Sequence, residues 1–418
     1  MYDWANSVYS LVITTAIFPL YYNLFTIKDT FGKVDFFGLK VIDTVLYSYA
    51  LSFSFLIIAI IIPFLSGIAD YTGKKKHFMK GFVYIGSISC MSLFFYDGSQ
   101  VELAILASII ASIGFSGSLV FYDAFLPEIA TPDKHDQVSA KGYSFGYFGS
   151  VLLLVFNLFM IKNYELFGLG NEKEAMQFSF LMVGIWWIAF SQITFYMLKE
   201  DSKIINHSES LIYDGYKELK KVFIKFSSLS QIRIFLLSYF FYNTGVQTVI
   251  LLAATFASKV IGMEGGSLIV LILIIQLVAI IGAYFFAWLS KLIGNKSVLL
   301  IMITLWAGVC IAAYYTHSEF QFQIVAGIVG FVMGGIQSLS RATFSKLIPV
   351  EETDHASYFS FYNVIYYISI VMGTFSYGLI EQITNNMRYN ALLLAVWFVI
   401  GFMTLLKMKF DFLKKSLN

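Results

Sequence analysis

The chain has 418 residues and a formal net charge of +2; 58% of its residues are hydrophobic and only 13% are charged. Soluble domains carry about 25% charged residues, so a soluble fold of this size is excluded, and lipid must surround most of the chain. The small net charge argues against a nucleic-acid partner. Both cysteines, Cys90 and Cys310, lie in apolar stretches, which argues against a disulfide framework or a cysteine metal site.

Apolar stretches of about 20 residues, long enough to cross a bilayer, recur along the whole chain. They predict an all-α membrane protein with twelve spanning helices. The predicted helices lie at 4–27, 43–69, 79–96, 102–125, 139–161, 176–198, 234–257, 266–289, 297–315, 322–345, 357–380 and 390–407. No basic residue precedes the first stretch, so we expect no cleavable signal peptide.

Basic residues are distributed unevenly between the predicted loops. Twelve crossings place both termini on one side, and with the amino terminus inside, 21 of the 28 Lys and Arg residues fall inside and 7 outside. Lys and Arg accumulate in cytoplasmic loops. We therefore expect both termini in the cytoplasm, with a bacterial inner membrane as the location.

The first predicted helix carries a polar stripe. Asn6, Ser10 and Thr14 recur every four residues, and Asp3 lies at the amino end, where the helix dipole stabilises a carboxylate. Such a stripe either lines a solute site or holds helices together. Because only two residues precede Asp3, one hypothesis is that the natural first helix begins upstream of Met1; otherwise Asp3 is a rim residue.

A charged motif, SGIADYTGKKK at 66–76, follows the second predicted helix. Asp70 ends this helix at its negative pole, so the carboxylate needs compensation from the following lysines or from the amino end of another helix. A related stretch, WLSKLIGNK, follows the eighth helix and has Lys291 at the acidic position. A lysine is favourable at the carboxyl end of its own helix.

Three landmarks of the first half recur in the second half at nearly constant spacing. The pairs are Gly73 and Gly294, 221 residues apart, Cys90 and Cys310, 220 apart, and Pro132 and Pro349, 217 apart. This spacing predicts a duplication of six helices. The expected domains are an amino-terminal bundle at 1–198, a cytoplasmic linker at 199–233, a carboxyl-terminal bundle at 234–407 and a cytoplasmic tail at 408–418.

The linker contains an amphipathic pattern. Its apolar residues at helical spacing are Ile212, Tyr216, Leu219, Val222, Phe223 and Phe226, and its lysines are Lys217, Lys220, Lys221 and Lys225. The pattern predicts a helix that lies on the anionic lipids of the cytoplasmic leaflet. A solvated linker helix is the alternative.

The motif at 66–76 is similar to the signature of the major facilitator superfamily, which Asp70, Gly73, Lys74 and Lys75 match. Three further stretches resemble the vacuolar-effluxer-like branch of that superfamily: YDWANSVYSLVITTAIFP at 2–19, YNTGVQT at 242–248 and GGIQSLSRATFSKLIP at 334–349. The resemblance implies two pseudo-symmetric six-helix bundles and a secondary transporter that works by alternating access. It further implies export of amino acids or similar small polar metabolites.

This resemblance assigns gating roles to charged residues. Asp70, with Gly73, Lys74 and Lys75, would hold the inner gate closed; a solvated acid in a basic loop is the alternative. Because Lys291 replaces the acid in the second copy, this latch is expected on one side only. Asp123 and Arg341 lie 218 residues apart, each within about one turn of the cytoplasmic end of a predicted helix. We expect them to pair and close the gate, or else to snorkel to the interface.

Helices one and seven would be pseudo-equivalent and face a central cavity. The expected solute-binding residues on four helices are Asn6, Ser10, Thr14, Asn243, Gln247, Gln337 and Asn363. Neutral amides and hydroxyls suit a small polar or zwitterionic solute. The alternative is that these groups hold neighbouring helices together.

Ion coupling is expected through a desolvated carboxylate, with Asp3, Asp123 and Glu128 as candidates for a proton; sodium coupling or simple facilitation stays open. No nucleotide loop and no catalytic constellation is visible, so we expect neither an enzyme nor a cofactor or metal. We also expect a monomer. The rival function is a flippase or exporter of lipids, hydrophobic compounds or drugs on the same fold.

Overall fold

A computed structural model describes residues 1–199, 211–263, 265–384 and 386–409. Parts of the predicted linker and tail, 200–210 and 410–418, lie outside the described residues. Within the described ranges the chain is almost entirely helical, and twelve segments are long and apolar enough to cross a membrane, as predicted.

The elements of the first half are α1 (Tyr2–Val8), a π-helix (Tyr9–Ala16), α2 (Ile17–Phe25), β1 (Lys33–Phe36), β2 (Leu39–Ile42), α3 (Asp43–Thr72), α4 (Lys75–Ser92), α5 (Val101–Asp123), α6 (Leu126–Ile129), α7 (His135–Lys162) and α8 (Glu172–Met197). Those that follow are α9 (Leu211–Ser228), α10 (Ser230–Phe256), a second π-helix (Ala257–Ile261), α11 (Gly265–Ile293), α12 (Asn295–Tyr315), α13 (Glu319–Leu347), α14 (His355–Thr384) and α15 (Arg388–Leu406). Short 3₁₀ turns lie at Leu93–Phe95, Pro132–Lys134 and Tyr164–Phe167.

The first span is not a uniform α-helix. Its middle, Tyr9–Ala16, is a π-helix, in which Thr15 Oγ1 donates to the carbonyl oxygen of Ser10, five residues back. Pro19 follows within α2 and has no N–H to donate, which disturbs the regular hydrogen-bond ladder of the preceding turn. The second π-helix, Ala257–Ile261, follows α10. Hydrophobic spacing predicted the span but not this local change.

The loop after the first span forms a β-hairpin that the sequence did not predict. Antiparallel strands β1 and β2 are joined by Phe37 and Gly38, whose φ angles are +50° and +81°. Positive φ at both central residues gives the turn the twist of a two-residue hairpin. Lys28 lies 2.5 Å from Asp43 at the base of the hairpin, so an ion pair joins the segment after α2 to the first residue of α3.

The described chain divides into two compact units. The first comprises the described parts of 1–65, 72–122 and 145–207, and the second those of 66–71, 123–144 and 208–418. These units are defined by packing, whereas the predicted domains are defined by sequence repeat. The division at 198 and 234 therefore stays a prediction.

Within the first unit, α7 approaches α1 closely through glycine. A Cβ atom on Gly146 would lie 2.4 Å from Ser7 Oγ, and one on Gly149 would lie 3.0 Å from the Trp4 ring. Trp4 in turn stacks on Trp186 of α8, with ring centroids 5.4 Å apart. Glycine on this face of α7 thus lets α1 pack at short distance.

Within the second unit, aromatic side chains fill the contacts between helices. Tyr239 of α10 stacks on Tyr362 of α14 at 4.5 Å. Trp306 of α12 stacks on Phe398 of α15 at 5.6 Å. Such pairs add roughly 0.5–1.5 kcal/mol each beyond the area they bury.

Candidate functional site

Asp70 is buried at the end of α3 and contacts the first turn of α14. Its Oδ2 accepts from the backbone N–H of Ser357 at 2.7 Å, and its Oδ1 accepts from that of Ala356 at 3.2 Å. The positive amino end of α14 therefore compensates a carboxylate that its own helix dipole disfavours. Compensation by another helix was one of the two solutions expected from the sequence.

Arg341 and Asp123 form a buried ion pair between α13 and the end of α5. Arg341 Nη1 lies 3.1 Å from Asp123 Oδ1, and both residues are under 10% exposed. Arg341 also donates through Nε to Ser139 Oγ at 2.9 Å and through Nη2 to the Ser139 carbonyl at 3.2 Å. Its guanidinium carbon lies 4.5 Å from the centroid of the Tyr143 ring. The expected pairing is present; the gating role of the two residues stays a prediction.

A second buried ion pair, which the sequence did not predict, joins Asp136 in the first turn of α7 to Lys346 of α13. Lys346 Nζ lies 2.6 Å from Asp136 Oδ2, which also accepts from Ser290 Oγ at 2.7 Å. Asn295 Nδ2 donates to Asp136 Oδ1 at 2.8 Å, and Asn295 Oδ1 accepts from Lys346 Nζ at 3.0 Å. All four side chains satisfy one another, as buried charges require.

The two acids, Asp70 and Asp136, occupy exchanged positions in the repeat. Asp70 lies at the end of the second span and accepts from backbone N–H groups at the start of the eleventh span. Asp136 lies at the start of the fifth span and accepts from Ser290 at the end of the eighth span. A second contact of this kind is thus present despite Lys291, and the one-sided latch stays a prediction. The acid missing beside Lys291 is supplied by the facing helix.

Glu128 pairs with His355, whose Nδ1 lies 3.0 Å from Glu128 Oε1. The Glu128 side chain is 31% exposed. Glu128 therefore lies at the edge of the packed core, and its role in ion coupling stays a prediction. The charged and titratable side chains of these contacts all lie in the second unit. We call them the charged layer, which consists of Asp70, Asp123, Glu128, Asp136, Arg341, Lys346 and His355.

A neutral polar network connects α10 and α14. Asn243 Nδ2 donates to Ser369 Oγ at 2.5 Å, and Gln247 Nε2 donates to Asn243 Oδ1 at 3.2 Å. Tyr366 OH donates to Gln247 Oε1, also at 3.2 Å. The structure thus brings together two of the expected solute residues and adds Tyr366 and Ser369, which the sequence did not single out. Tyr366 is half-buried, so the network reaches the edge of the packed core.

The three residues of the expected polar stripe on the first span differ in how deeply they are buried. Asn6 is buried and accepts from Ser7 Oγ at 3.4 Å, whereas Ser10 is exposed and Thr14 is half-buried. Asp3 is buried, and its carboxylate accepts from the hydroxyl of Tyr122 in α5. The three stripe residues therefore differ in burial, and their role in solute binding stays a prediction.

The remaining predicted residues have varied surroundings. Asn363 is buried and donates to the Phe359 carbonyl of its own helix at 3.0 Å, and Gln337 is half-buried on α13. Gly73 directly follows α3 with φ +70°, a conformation that favours glycine. Lys74 precedes α4 and is exposed, and Lys75 is the first residue of α4. Over the described residues, no group of three His, Cys, Asp or Glu side chains could hold a metal ion.

Comparison with known proteins identifies the family. Residues 1–415 match the family model "Vacuole effluxer Atg22 like". The chain is 32% identical over 408 residues to the MFS-type transporter YxiO of Bacillus subtilis, covering 97% of this chain and 92% of YxiO. The chain belongs to the Atg22-like vacuole effluxer family. It is also 25% identical to autophagy-related protein 22 of Eremothecium gossypii, covering 87% of this chain and 77% of that protein.

Solved structures show the fold of this Atg22-like chain. The crystal structure of the FucP transporter in the outward conformation matches with a TM-score of 0.70 at 15% identity, covering 98% of this chain and 97% of FucP. The proton:xylose symporter XylE matches with a TM-score of 0.69 at 14% identity, covering 97% of this chain and 92% of XylE. This Atg22-like chain is therefore a multi-pass membrane transporter with the major facilitator fold, as predicted. Family and fold are those of transporters, not of enzymes.

Proposed function

We propose that this Atg22-like transporter exports a small polar solute, an amino acid or a similar metabolite, by alternating access. It acts in a bacterial inner membrane, as a monomer with both termini in the cytoplasm, and α9 lies on the anionic lipids of the cytoplasmic leaflet. The family description and the amide network between α10 and α14 support this proposal.

The observation that carries the substrate class is the network of Asn243, Gln247, Tyr366 and Ser369. These groups include both donors and acceptors, and none of them is charged. A zwitterion or small polar solute can exchange hydrogen bonds with such groups without leaving an ion unpaired. An apolar solute would displace bonds that it could not replace.

We assign the charged layer to the cytoplasmic gate. Its three buried acids, Asp70, Asp123 and Asp136, each bind a segment from the other half of the sequence. When these contacts break, water must solvate all of the released charges. Opening of the gate therefore requires the whole charged layer to become hydrated together. The gate thus has two discrete states rather than a continuous range.

We further assign proton coupling to Asp3. Asp3 is buried and accepts from the Tyr122 hydroxyl, whereas Asp123 is held by a guanidinium and Glu128 is exposed. Carboxylates buried within spanning helices commonly mark proton pathways.

Ligand-dependent stability tests the proposed substrate class. We expect one class of amino acid to raise the thermal unfolding midpoint of the purified chain, because a solute that binds only the folded state stabilises it by about 2.7 kcal/mol at about 100 times its Kd. Gln247→Leu should abolish this shift. Midpoints are to be measured at two pH values against amino acids, peptides, nucleosides, sugars and drugs, and a shift that requires acidic pH should disappear in Asp3→Asn.

The matched control is Gln192→Leu, which removes an exposed amide in α8 that donates to the Ile188 carbonyl of its own helix. This variant should keep the full shift. Stabilisation only by lipids or apolar drugs would refute the proposal and favour the flippase function.

A further inference from the structure

Helix α9 packs across the joint between the end of α3 and the start of α14. Gly67 of α3 meets the α9 backbone so closely that a Cβ atom on Gly67 would lie 2.4 Å from the carbonyl oxygen of Gly215. Further along α9, the Phe226 ring lies 5.1 Å from that of Phe361 and 6.2 Å from that of Tyr358. The two segments that α9 covers are the same two that Asp70 joins.

Two lysines on one edge of α9 bind the loop before α14. Lys225 pairs with Glu352, and Lys221 Nζ lies 3.7 Å from Asp354 Oδ2. A hydrogen bond from Lys221 to Glu218 raises the pKa of Lys221 above its usual value, so this lysine stays charged. Because both lysines are more than half exposed, these pairs orient α9 more than they stabilise it.

The opposite face of α9 exposes large apolar side chains and lysines. Tyr213 and Ile224 are 58% and 59% exposed, and Lys217 and Lys220 lie on the same face. The Lys217 ammonium lies 4.4 Å from the centroid of the Tyr213 ring. Exposed aromatic and aliphatic groups interleaved with lysines are typical of a helix that lies on an anionic bilayer.

The depth of α9 fits this partner. It contacts Gly67 and Ile68 within two turns of the end of α3 at Thr72, and Tyr358 within one turn of the start of α14 at His355. Spanning helices end at the level of the lipid headgroups. This depth would bring the Lys217 and Lys220 ammonium groups within reach of lipid phosphates.

We propose that the exposed face of α9 binds anionic lipid headgroups, and that this binding stabilises the contact between Asp70 and α14. Anionic lipid binds α9 in the position in which its other face packs on both partners of the contact, so lipid binding favours that position through linkage. The consequence for transport rests on the proposed role of the charged layer as a gate: anionic lipid would favour the closed cytoplasmic gate.

Hydrogen exchange in nanodiscs tests this inference. The amides of Ala356 and Ser357 donate to Asp70, so they exchange only when that contact opens. We expect their exchange to be slower in discs that contain phosphatidylglycerol than in discs of phosphatidylcholine alone, by about fivefold for each lysine that meets an anionic leaflet. The double variant Lys217→Gln/Lys220→Gln should lose this difference.

Lys33→Gln/Lys40→Gln, with the same loss of charge on the β-hairpin, should keep it, and Asp70→Asn should speed exchange in both lipids. High salt should shrink the difference in the unaltered chain by screening. Equal exchange in the two lipids, or a difference that survives in the α9 variant, would overturn the inference. Neither outcome depends on transport, so the proposed function is tested separately.

Discussion

Arg341→Ala should lower the free energy of unfolding by about 3–5 kcal/mol, because it leaves the carboxylate of Asp123 buried without its guanidinium. Arg341 also holds Ser139 through two hydrogen bonds, which the alanine cannot replace. Asp123→Ala should cost a similar amount. Thermal and denaturant unfolding in detergent measure both effects, with tryptophan fluorescence as the signal.

The neutral double variant Asp123→Leu/Arg341→Met separates pairing from simple packing. It should recover most of the stability that either single loss of charge removes, because no ion remains unpaired. Arg233→Ala removes an exposed arginine at the start of α10 and should change stability by no more than about 0.5 kcal/mol. Additive losses in the double variant would mean that the two charges do not stabilise each other.

Lys346→Met and Asp136→Asn should each lower the free energy of unfolding by about 3–5 kcal/mol, because each substitution removes one charge of this buried ion pair. The ion pair is buried from solvent, since the side chains of Lys346 and Asp136 are only 6% and 3% exposed. Because Asn295 bonds both partners, Asn295→Ala should also destabilise the chain, by about 1–3 kcal/mol. Chemical denaturation of the same detergent preparation measures each value.

An exposed ion pair in α9 gives the matched control. Lys221 lies 2.7 Å from Glu218 but is 66% exposed, so Glu218→Gln should cost less than about 1 kcal/mol. If Asp136→Asn is no more destabilising than Glu218→Gln, the Asp136 network does not hold the two halves of the sequence together. It could then not act as a gate.

The spans of this transporter were predictable because bilayer thickness fixes how many apolar residues a crossing needs. Local departures from regular structure were not. The π-helix at Tyr9–Ala16 changes hydrogen-bond partners without changing hydropathy, and the hairpin at 33–42 has strands of four residues, too short for an alternation pattern to be distinctive.

The charged layer was half predictable, for a physical reason. Asp123 and Arg341 stood out because charges inside a span are costly and therefore rare. Asp136 did not, because it starts a helix near other charged residues, where an acid is ordinary. Its partner, Lys346, ends a helix, where a lysine is equally ordinary. Only the fold shows that both are buried against each other.

The polar network was also half predictable. Asn243 and Gln247 stood out as amides four residues apart in an apolar helix. Tyr366 could not be singled out among 27 tyrosines, and the role of Ser369 depends on which face of α14 meets α10. The sequence therefore pointed to the correct helix but not to the full set of groups.

The most direct test of the central claim is counterflow in proteoliposomes. Vesicles containing the unaltered chain are loaded with an unlabelled amino acid and diluted into a trace of the same amino acid with a radioactive label. We predict transient accumulation of label for one class of amino acids, absent in Gln247→Leu and Arg341→Ala and unchanged in Gln192→Leu. If no amino acid or similar small polar metabolite gives counterflow with folded protein, the proposed function is contradicted.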